Sequence, residues 1–347
     1  MHVLVVGGNR FVGRLLVWRL LAQGCRVTVF NRGRLSDPFG DRVERLTGDR
    51  TGPELERLLA GRTFDAVVDL AAYTGSAGRR AAELLRGRTG HYVMVSTGQV
   101  YLVRQGCPRP MREPAREEDY DGPVMARPED PADLGDWEYG IGKRDCEDAI
   151  AEAVRRGFPA TRVRIPMVNG PLDYFHRLES YLWRLTDGGP VLLPDGGHQR
   201  ARHVDGGEVA RFIATILGDE RTLGRAYNLA QEEVPTLAEL VGHLRDLTGS
   251  GARIVEVPSD QLRAHGLRPV DVSPFDDPWM SLLDPARARD ELGFRHAPLA
   301  ATLATVTSSF LCRTPASPPP GYDRRELERR VAGRAPRETR YPRMANP

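Results

Sequence analysis

His2-Val3-Leu4-Val5-Val6-Gly7-Gly8-Asn9-Arg10-Phe11-Val12-Gly13 reads as a strand, a glycine turn and the first turn of a helix. The apolar run 2–6 stops at glycine, the pattern of a short buried strand. From 11 to 23, Phe11, Val12, Leu15, Leu16, Leu20 and Leu21 recur at helical spacing, and Gly24 ends the helix. Such a turn aims backbone N–H groups and a helix N-terminus at a pyrophosphate. Gly7 permits the tight turn and Gly13 the close helix–strand packing. Arg10 stands where the usual fingerprint has its middle glycine. Asn9, Phe11 and Val12 complete the candidate dinucleotide-binding turn.

Further strands are predicted at 26–30, 43–46, 66–71, 92–96 and 161–165. Helices are predicted at 54–59, 79–85 and 145–155. This alternation implies a parallel sheet covered on both faces, an α/β Rossmann-like doubly wound fold with a smaller C-terminal α/β lobe. Residues 1–170 are expected to form the NAD(P)-binding domain, which the chain re-enters around 201–230. Residues 171–312 are expected to form a substrate-binding lobe. Residues 313–347 form a Pro- and Arg-rich tail, with one short helix at 324–331 and the rest extended or disordered. The Pro-rich, acidic stretch 104–137 reads as one long loop, functional or mobile.

Composition narrows the class. The chain has 347 residues, 40% hydrophobic and 28% charged, with a formal net charge of +2. That charge is too small to make nucleic acid a main partner. No apolar run approaches the ~20 residues a membrane helix needs, and no signal-peptide pattern opens the chain, so a cytoplasmic location is expected. Cys25, Cys107, Cys146 and Cys312 match no metal-ligand spacing and read as reduced thiols, with no metal site. Lys and Arg together number 49, yet Lys143 is the one lysine. A chain that uses arginine everywhere else has kept an ammonium here, where a planar guanidinium is no substitute.

That lysine closes Tyr139-Gly140-Ile141-Gly142-Lys143, which reads as the opening of a helix. Residues i and i+4 share a helix face. A phenol with a pKa of ~10 is a poor base at neutral pH, and a neighbouring ammonium favours its phenolate. Tyr139 is therefore the candidate general acid/base and Lys143 the group that lowers its pKa. Thr97 ends the strand at 92–96, where doubly wound sheets bind ligands, and is the candidate hydroxyl for the substrate oxygen. Nearby Tyr101 is a second candidate substrate contact. After the second strand come Asn31, Arg32, Gly33 and Arg34, with no carboxylate for a ribose 2′-OH. Arg10, Arg32 and Arg34 are three cations for a 2′-phosphate, so NADP(H) is favoured over NAD(H).

Together these segments resemble the extended short-chain dehydrogenase/reductase family, the NAD-dependent epimerase/dehydratase group, over roughly residues 2–312. The resemblance implies that Thr97, Tyr139 and Lys143 form a catalytic triad and that Lys143 also holds the nicotinamide ribose. It implies that Asp49 and Arg50 lie at the adenine, and that Leu70, Ala71, Ala72 and Tyr73 lie beneath the nicotinamide ribose. It further implies that Ile165, Pro166 and Val168 belong to the loop closing on the nicotinamide. Two departures shape the function. Met167 replaces the asparagine with which the family's sugar-nucleotide enzymes hold substrate. Gly98-Gln99 replaces the Asp-Glu of its dehydratases, so the groups that eliminate water are missing.

The function expected is an NAD(P)-dependent oxidoreductase or epimerase. It would act on a carbinol or carbonyl carbon of a sugar, nucleotide sugar or similar secondary metabolite. His176, Arg200 and Arg202 are candidates for an anionic group of this small-molecule substrate, and a homodimer stays open. The glycine turn and Asn31-Arg32-Gly33 also resemble chloroplast stem-loop RNA-binding members of the superfamily. That keeps a nucleotide-sensing or RNA-binding protein without catalysis as the alternative.

Overall fold

The computed structural model describes residues 1–333. The chain begins β1 (His2–Val6), α1 (Phe11–Ala22), β2 (Arg26–Asn31), β3 (Val43–Thr47), α2 (Glu54–Leu59), β4 (Phe64–Asp69), α3 (Gly75–Leu85) and β5 (Thr89–Thr97). It continues α4 (Gln99–Leu102), α5 (Pro131–Arg155), β6 (Ala160–Ile165), β7 (Met167–Asn169), α6 (Arg177–Thr186), β8 (Val191–Pro194) and β9 (His203–Asp205). Then follow α7 (Gly206–Ile216), β10 (Ala226–Asn228), α8 (Leu237–Thr248), β11 (Ile254–Val257), α9 (Ser259–Ala264) and α10 (Pro269–Val272). The last described helices are α11 (Ala286–Leu292), α12 (Leu299–Cys312) and α13 (Arg325–Ala332).

The chain divides into two compact units. Unit 1 comprises Met1–Pro166, Val204–Ala230 and Ser281–Arg295, and the rest of the described residues form unit 2. Unit 1 is a seven-stranded sheet of order β10-β6-β5-β4-β1-β2-β3, with every pairing parallel. Strands covered on both faces need continuous apolar runs. Accordingly Val3, Leu4 and Val5 of β1 and Ala66, Val67 and Val68 of β4 are fully buried. Strand order reverses between β1 and β4, the switch point at which such sheets bind ligands.

Unit 2 packs α6, α8 and α12 around Tyr181, Leu240 and Leu303 and pairs β8 with β11 in parallel. Among the described residues no helix is long and apolar enough to cross a membrane.

The structure redraws three expectations. Helix α5 starts at Pro131, not near 145, so the loop is shorter than 104–137 and Tyr139 lies inside the helix rather than opening it. The signal was present: Asp130 caps the helix by accepting from Ala132 N–H at 2.9 Å, and Pro131 occupies the first turn. Gly135, Gly140 and Gly142 obscured it. The loop is also ordered by hydrogen bonds. Arg144 donates to the carbonyls of Val100 at 2.9 Å and Gly122 at 3.0 Å, and Met125 N–H donates to Val103 O at 2.8 Å.

Second, Ser281–Arg295 belongs to unit 1, a third visit that the sequence reading put in the lobe. Third, the tail is not a loose appendage through residue 333. Val331 and Ala332 of α13 are 1% exposed in a cluster with Leu192, Val255 and Leu262. Glu328 of the same helix is fully buried against Arg184 at 2.6 Å. The predicted helix at 324–331 is α13, and residues 334–347 lie outside the described residues.

Candidate active site at the carboxyl ends of the sheet

The glycine turn is built for close approach. Gly7 has φ +93°, and its N–H donates to Phe30 O at 3.0 Å. A Cβ on Gly13 would sit 2.4 Å from the Gly7 carbonyl oxygen, a contact no side chain survives. The longer helices α3, α5 and α7 of unit 1 are capped by Thr74, Asp130 and Asp205. At α1 the cap position is Arg10, whose side chain supplies no cap, and the first turn has no acidic residue. The N–H groups opening α1 thus receive no side-chain cap, the state in which a helix N-terminus accepts an anion. A bare glycine cradle against an uncapped helix fits a dinucleotide pyrophosphate.

On one side the turn is tied to the end of β2. Asn31 Nδ2 donates to Asn9 Oδ1 at 3.1 Å, and Asn9 Nδ2 donates to Leu35 O at 2.9 Å. Asn31 Oδ1 accepts from Gly33 N–H at 2.8 Å, and its carbonyl accepts from Gly48 N–H at 3.0 Å. This lattice fixes the segment carrying Arg32 and Arg34, both exposed. The Thr51 hydroxyl, and less strongly the charges of Arg32 and Arg34, hold the Asp49 carboxyl below the usual carboxylate range. Asn9, Asn31, Arg32, Arg34 and Asp49 are therefore brought together.

Arg50 is not. Its guanidinium is committed to Asp69 in a two-pronged pair at 2.8 and 3.0 Å, which corrects its expected role at the adenine. Asp69 is 2% exposed and also accepts from Tyr92 Oη at 2.8 Å and Ala71 N–H at 2.9 Å. This carboxylate, one residue before Leu70, was missed as a site residue. Its appearance at the end of the apolar run 66–71 was the available signal. The pair locks the β4–α3 loop, and Leu70 and Ala71 then lie against the glycine turn: a Cβ on Gly7 would sit 3.6 Å from each of theirs.

On the other side that loop meets α5. A Cβ on Gly142 would strike Tyr73 O at 2.5 Å, and one on Gly140 would strike Val103 Cγ1 at 2.5 Å. These glycines let the β4–α3 loop and α4 close on α5 beside Tyr139 and Lys143. Lys143 is 2% exposed. Its Nζ donates to Val95 O at 2.8 Å and lies 4.6 Å from the centre of the Tyr73 ring. Burial pulls its pKa down to about 8. The Tyr73 and Tyr139 rings are 6.2 Å apart, and Tyr139 is 37% exposed. A reachable phenol and a buried ammonium thus share one helix face beside the same aromatic ring.

Thr97 ends β5 with its hydroxyl accepting from Gln99 N–H at 3.3 Å, which leaves its proton to donate. The next residue must be glycine, because a Cβ on Gly98 would meet Ser281 Oγ at 2.1 Å. The dehydratase pair therefore has no room here, since a returning segment occupies the space. Tyr101 leaves the substrate candidates. It is 1% exposed, with its hydroxyl donating to Asn228 at 2.8 Å and accepting from Arg164 at 2.7 Å. Arg164 is itself paired with Glu147 at 2.7 Å in the core.

Ile165 and Pro166 close the first segment of unit 1, and Gly98 N–H donates to Ile165 O at 2.8 Å. Val168, His176, Arg200 and Arg202 lie in unit 2. His176 is engaged by Glu179 through Nδ1. Arg202 is buried and donates to Glu232 O at 2.7 Å, whereas Arg200 is exposed. The structure does not gather these three basic side chains into one anion site.

Residues 3–89 match the model of the NAD dependent epimerase/dehydratase family. The chain is 25% identical over 248 residues to the chloroplast stem-loop binding protein of 41 kDa b of Arabidopsis thaliana, covering 67% of this chain and 60% of that protein. It is 27% identical over 267 residues to the 2'-dehydrokanamycin reductase of Streptomyces kanamyceticus, covering 75% and 70% respectively. The fold is shared with the dTDP-glucose 4,6-dehydratase of Bacillus anthracis, crystallised in complex with NAD. That match has a TM-score of 0.69 and 16% identity, and covers 90% of this chain and 97% of the other.

Proposed function

We propose that the chain, whose residues 3–89 match the NAD dependent epimerase/dehydratase family, is an NAD(P)-dependent reductase or epimerase with Tyr139 as its acid/base. The observation that carries this is the buried Lys143, the only lysine in the chain, on the helix face of a reachable tyrosine. A bound nicotinamide would supply the hydride acceptor or donor. The rest of the chemistry falls to the chain. Gly7, Gly13 and the N-terminus of α1 would hold the pyrophosphate, and the Asn9–Asn31 lattice would flank the adenosine side. Thr97 donates its remaining proton to the substrate oxygen. Tyr139 gives a proton to that oxygen in reduction and takes it in oxidation. The Lys143 ammonium stabilises the phenolate by charge.

The arginines around Asn31 favour NADP(H). Arg32→Ala with Arg34→Ala is expected to weaken NADP+ at least tenfold while leaving NAD+ within threefold, read by titration. Equal losses would remove the 2′-phosphate assignment. Gly98-Gln99 argues against water elimination, which leaves hydride transfer to a sugar or aminoglycoside-like carbonyl, the chemistry named for the Streptomyces relative. Tyr139→Phe is expected to lower reduction of 2'-dehydrokanamycin or a related ketosugar by about 10²–10⁴-fold. Cofactor affinity should be unchanged, and full activity in this variant would refute the reading.

A second reading rests on the plant stem-loop binding relative. A net charge of +2 argues against it. Tight retention of a hairpin RNA at 150 mM salt, unaffected by Tyr139→Phe, would favour it.

A further inference from the structure

Lys143 is 2% exposed, although it shares a face of α5 with Tyr139, whose phenol is within reach of solvent. Its surroundings show what closes the way to the ammonium. Nζ donates to Val95 O on β5 at 2.8 Å. Asp69, Cys146 and Glu147, whose charges bear on it, are all buried. The neighbour that stands half in water is Tyr73, 51% exposed, with its ring centre 4.6 Å from Nζ. At that distance the negative face of an aromatic ring attracts an ammonium. The same ring lies 6.2 Å from that of Tyr139.

The backbone that carries this ring is fixed on both sides. Ala71 N–H donates to Asp69 at 2.9 Å, Ala72 is fully buried, and Thr74 caps α3 by accepting from Ala77 N–H at 3.3 Å. The Tyr73 carbonyl presses on α5 so closely that a Cβ on Gly142 would come within 2.5 Å of its oxygen. The main chain at Tyr73 therefore has little room to shift. A half-exposed side chain can still rotate between staggered positions, on the picosecond to nanosecond scale. Uncovering Lys143 thus takes a change of rotamer and no movement of the loop.

We propose that the Tyr73 ring is a gate on Lys143: it covers the ammonium, and it swings into solvent before the ammonium meets the ribose hydroxyls of a dinucleotide. The inference rests on the oxidoreductase reading, which brings a cofactor to Lys143. Ring face and ribose hydroxyls compete for the same N–H groups, so the gate weakens cofactor binding. Only chains with the ring turned out are competent to bind, and apparent affinity falls with their fraction. A contact between ammonium and ring of ordinary strength lowers affinity by about 2- to 30-fold. The effect belongs to the aromatic face and not to the phenol oxygen. Phenylalanine at position 73 keeps it and alanine removes it.

The test uses the full chain labelled with [ε-¹³C]lysine, which gives one resonance because Lys143 is the sole lysine. Before cofactor is added, the ring should shift the lysine ε-methylene protons upfield. Tyr73→Ala should abolish that shift and Tyr73→Phe should keep it. With NADPH saturating, parent and Tyr73→Ala should coincide, since the ring has swung away in one and is missing from the other. By fluorescence titration, Tyr73→Ala should bind NADPH about 2- to 30-fold more tightly than the parent, and Tyr73→Phe within about twofold of it. A half-exposed side chain can be truncated without unfolding the chain. Three results would overturn the gate: a lysine shift indifferent to the alanine change, a difference between parent and alanine variant that survives saturation, or affinity unchanged or weakened by alanine. The last would make the ring a platform for the cofactor. No NADPH binding by either chain would sink the dinucleotide reading and the gate with it. Turnover retained by Tyr139→Phe would instead sink the acid/base assignment and leave the gate standing.

Discussion

Replacing Lys143 with methionine should make the protein more stable at neutral pH. The lysine is 2% exposed, and burial lowers its pKa from 10.5 to about 8. A shift of about 2.5 units corresponds to about 3.4 kcal/mol of preference for the neutral form. The folded chain therefore gives up this proton before the unfolded chain does. Below about pH 8 the native state bears the whole cost of the buried charge. Between about pH 8 and 10.5 the unfolded chain binds more protons and stability rises with pH. Methionine fills similar volume without charge, but orphans Val95 O, at a cost of about 1 kcal/mol. Lys143→Met should thus gain about 2 kcal/mol at pH 7 and lose that advantage by pH 10.5, while hydride-transfer activity disappears. Urea unfolding at both pH values measures the gap. Because the chain has one lysine, [ε-¹³C]lysine labelling gives a single resonance whose midpoint should fall near 8. A midpoint at or above 10, or a variant less stable than the parent at pH 7, would refute the reasoning.

Gly13→Ala should cost about 1–3 kcal/mol and abolish nucleotide binding, since the new methyl meets the Gly7 carbonyl oxygen at 2.4 Å; normal NAD(P)H fluorescence titration would contradict this. Asp69→Asn should cost about 3 kcal/mol by leaving the part-buried Arg50 without its counter-charge, read as a drop in the urea midpoint. Burial alone would raise the Asp69 carboxyl, but the Arg50 charge and the hydrogen bonds from Arg50, Ala71 and Tyr92 together hold it below its usual range. Its contribution should persist above about pH 4 and fade as pH falls through the lowered folded value, a fading that Asp69→Asn abolishes. Glu328→Gln should cost about 3 kcal/mol, because Arg184 and Arg325 both lean on that carboxylate. A loss under 1 kcal/mol would show that α13 is dispensable to unit 2.

The doubly wound sheet and the Tyr–Lys pair were legible in the one-dimensional pattern, because both are local. An apolar run ending at Gly7, a helical period from Phe11 and an i,i+4 spacing need only neighbours along the chain. The start of α5 was legible in principle from Asp130-Pro131. It was masked by Gly140 and Gly142, glycines that look like helix breakers but serve close packing against Val103 and Tyr73. Nothing along the chain pairs Arg50 with Asp69, Arg164 with Glu147, or Arg184 with Glu328. Each couples residues distant in sequence, and each consumed an arginine that composition alone left available for ligands.

The roles of Tyr101, Arg50 and the tail were likewise matters of three-dimensional neighbourhood. A phenol is a substrate contact or a core strut according to what lies within 3 Å of its oxygen. Periodicity and turn chemistry are written in the order of residues, so fold class follows from reading alone. Burial and partnership depend on which distant segments fold together. Only the folded chain therefore reveals which polar groups are already engaged, as Arg50 is by Asp69 and Arg184 by Glu328.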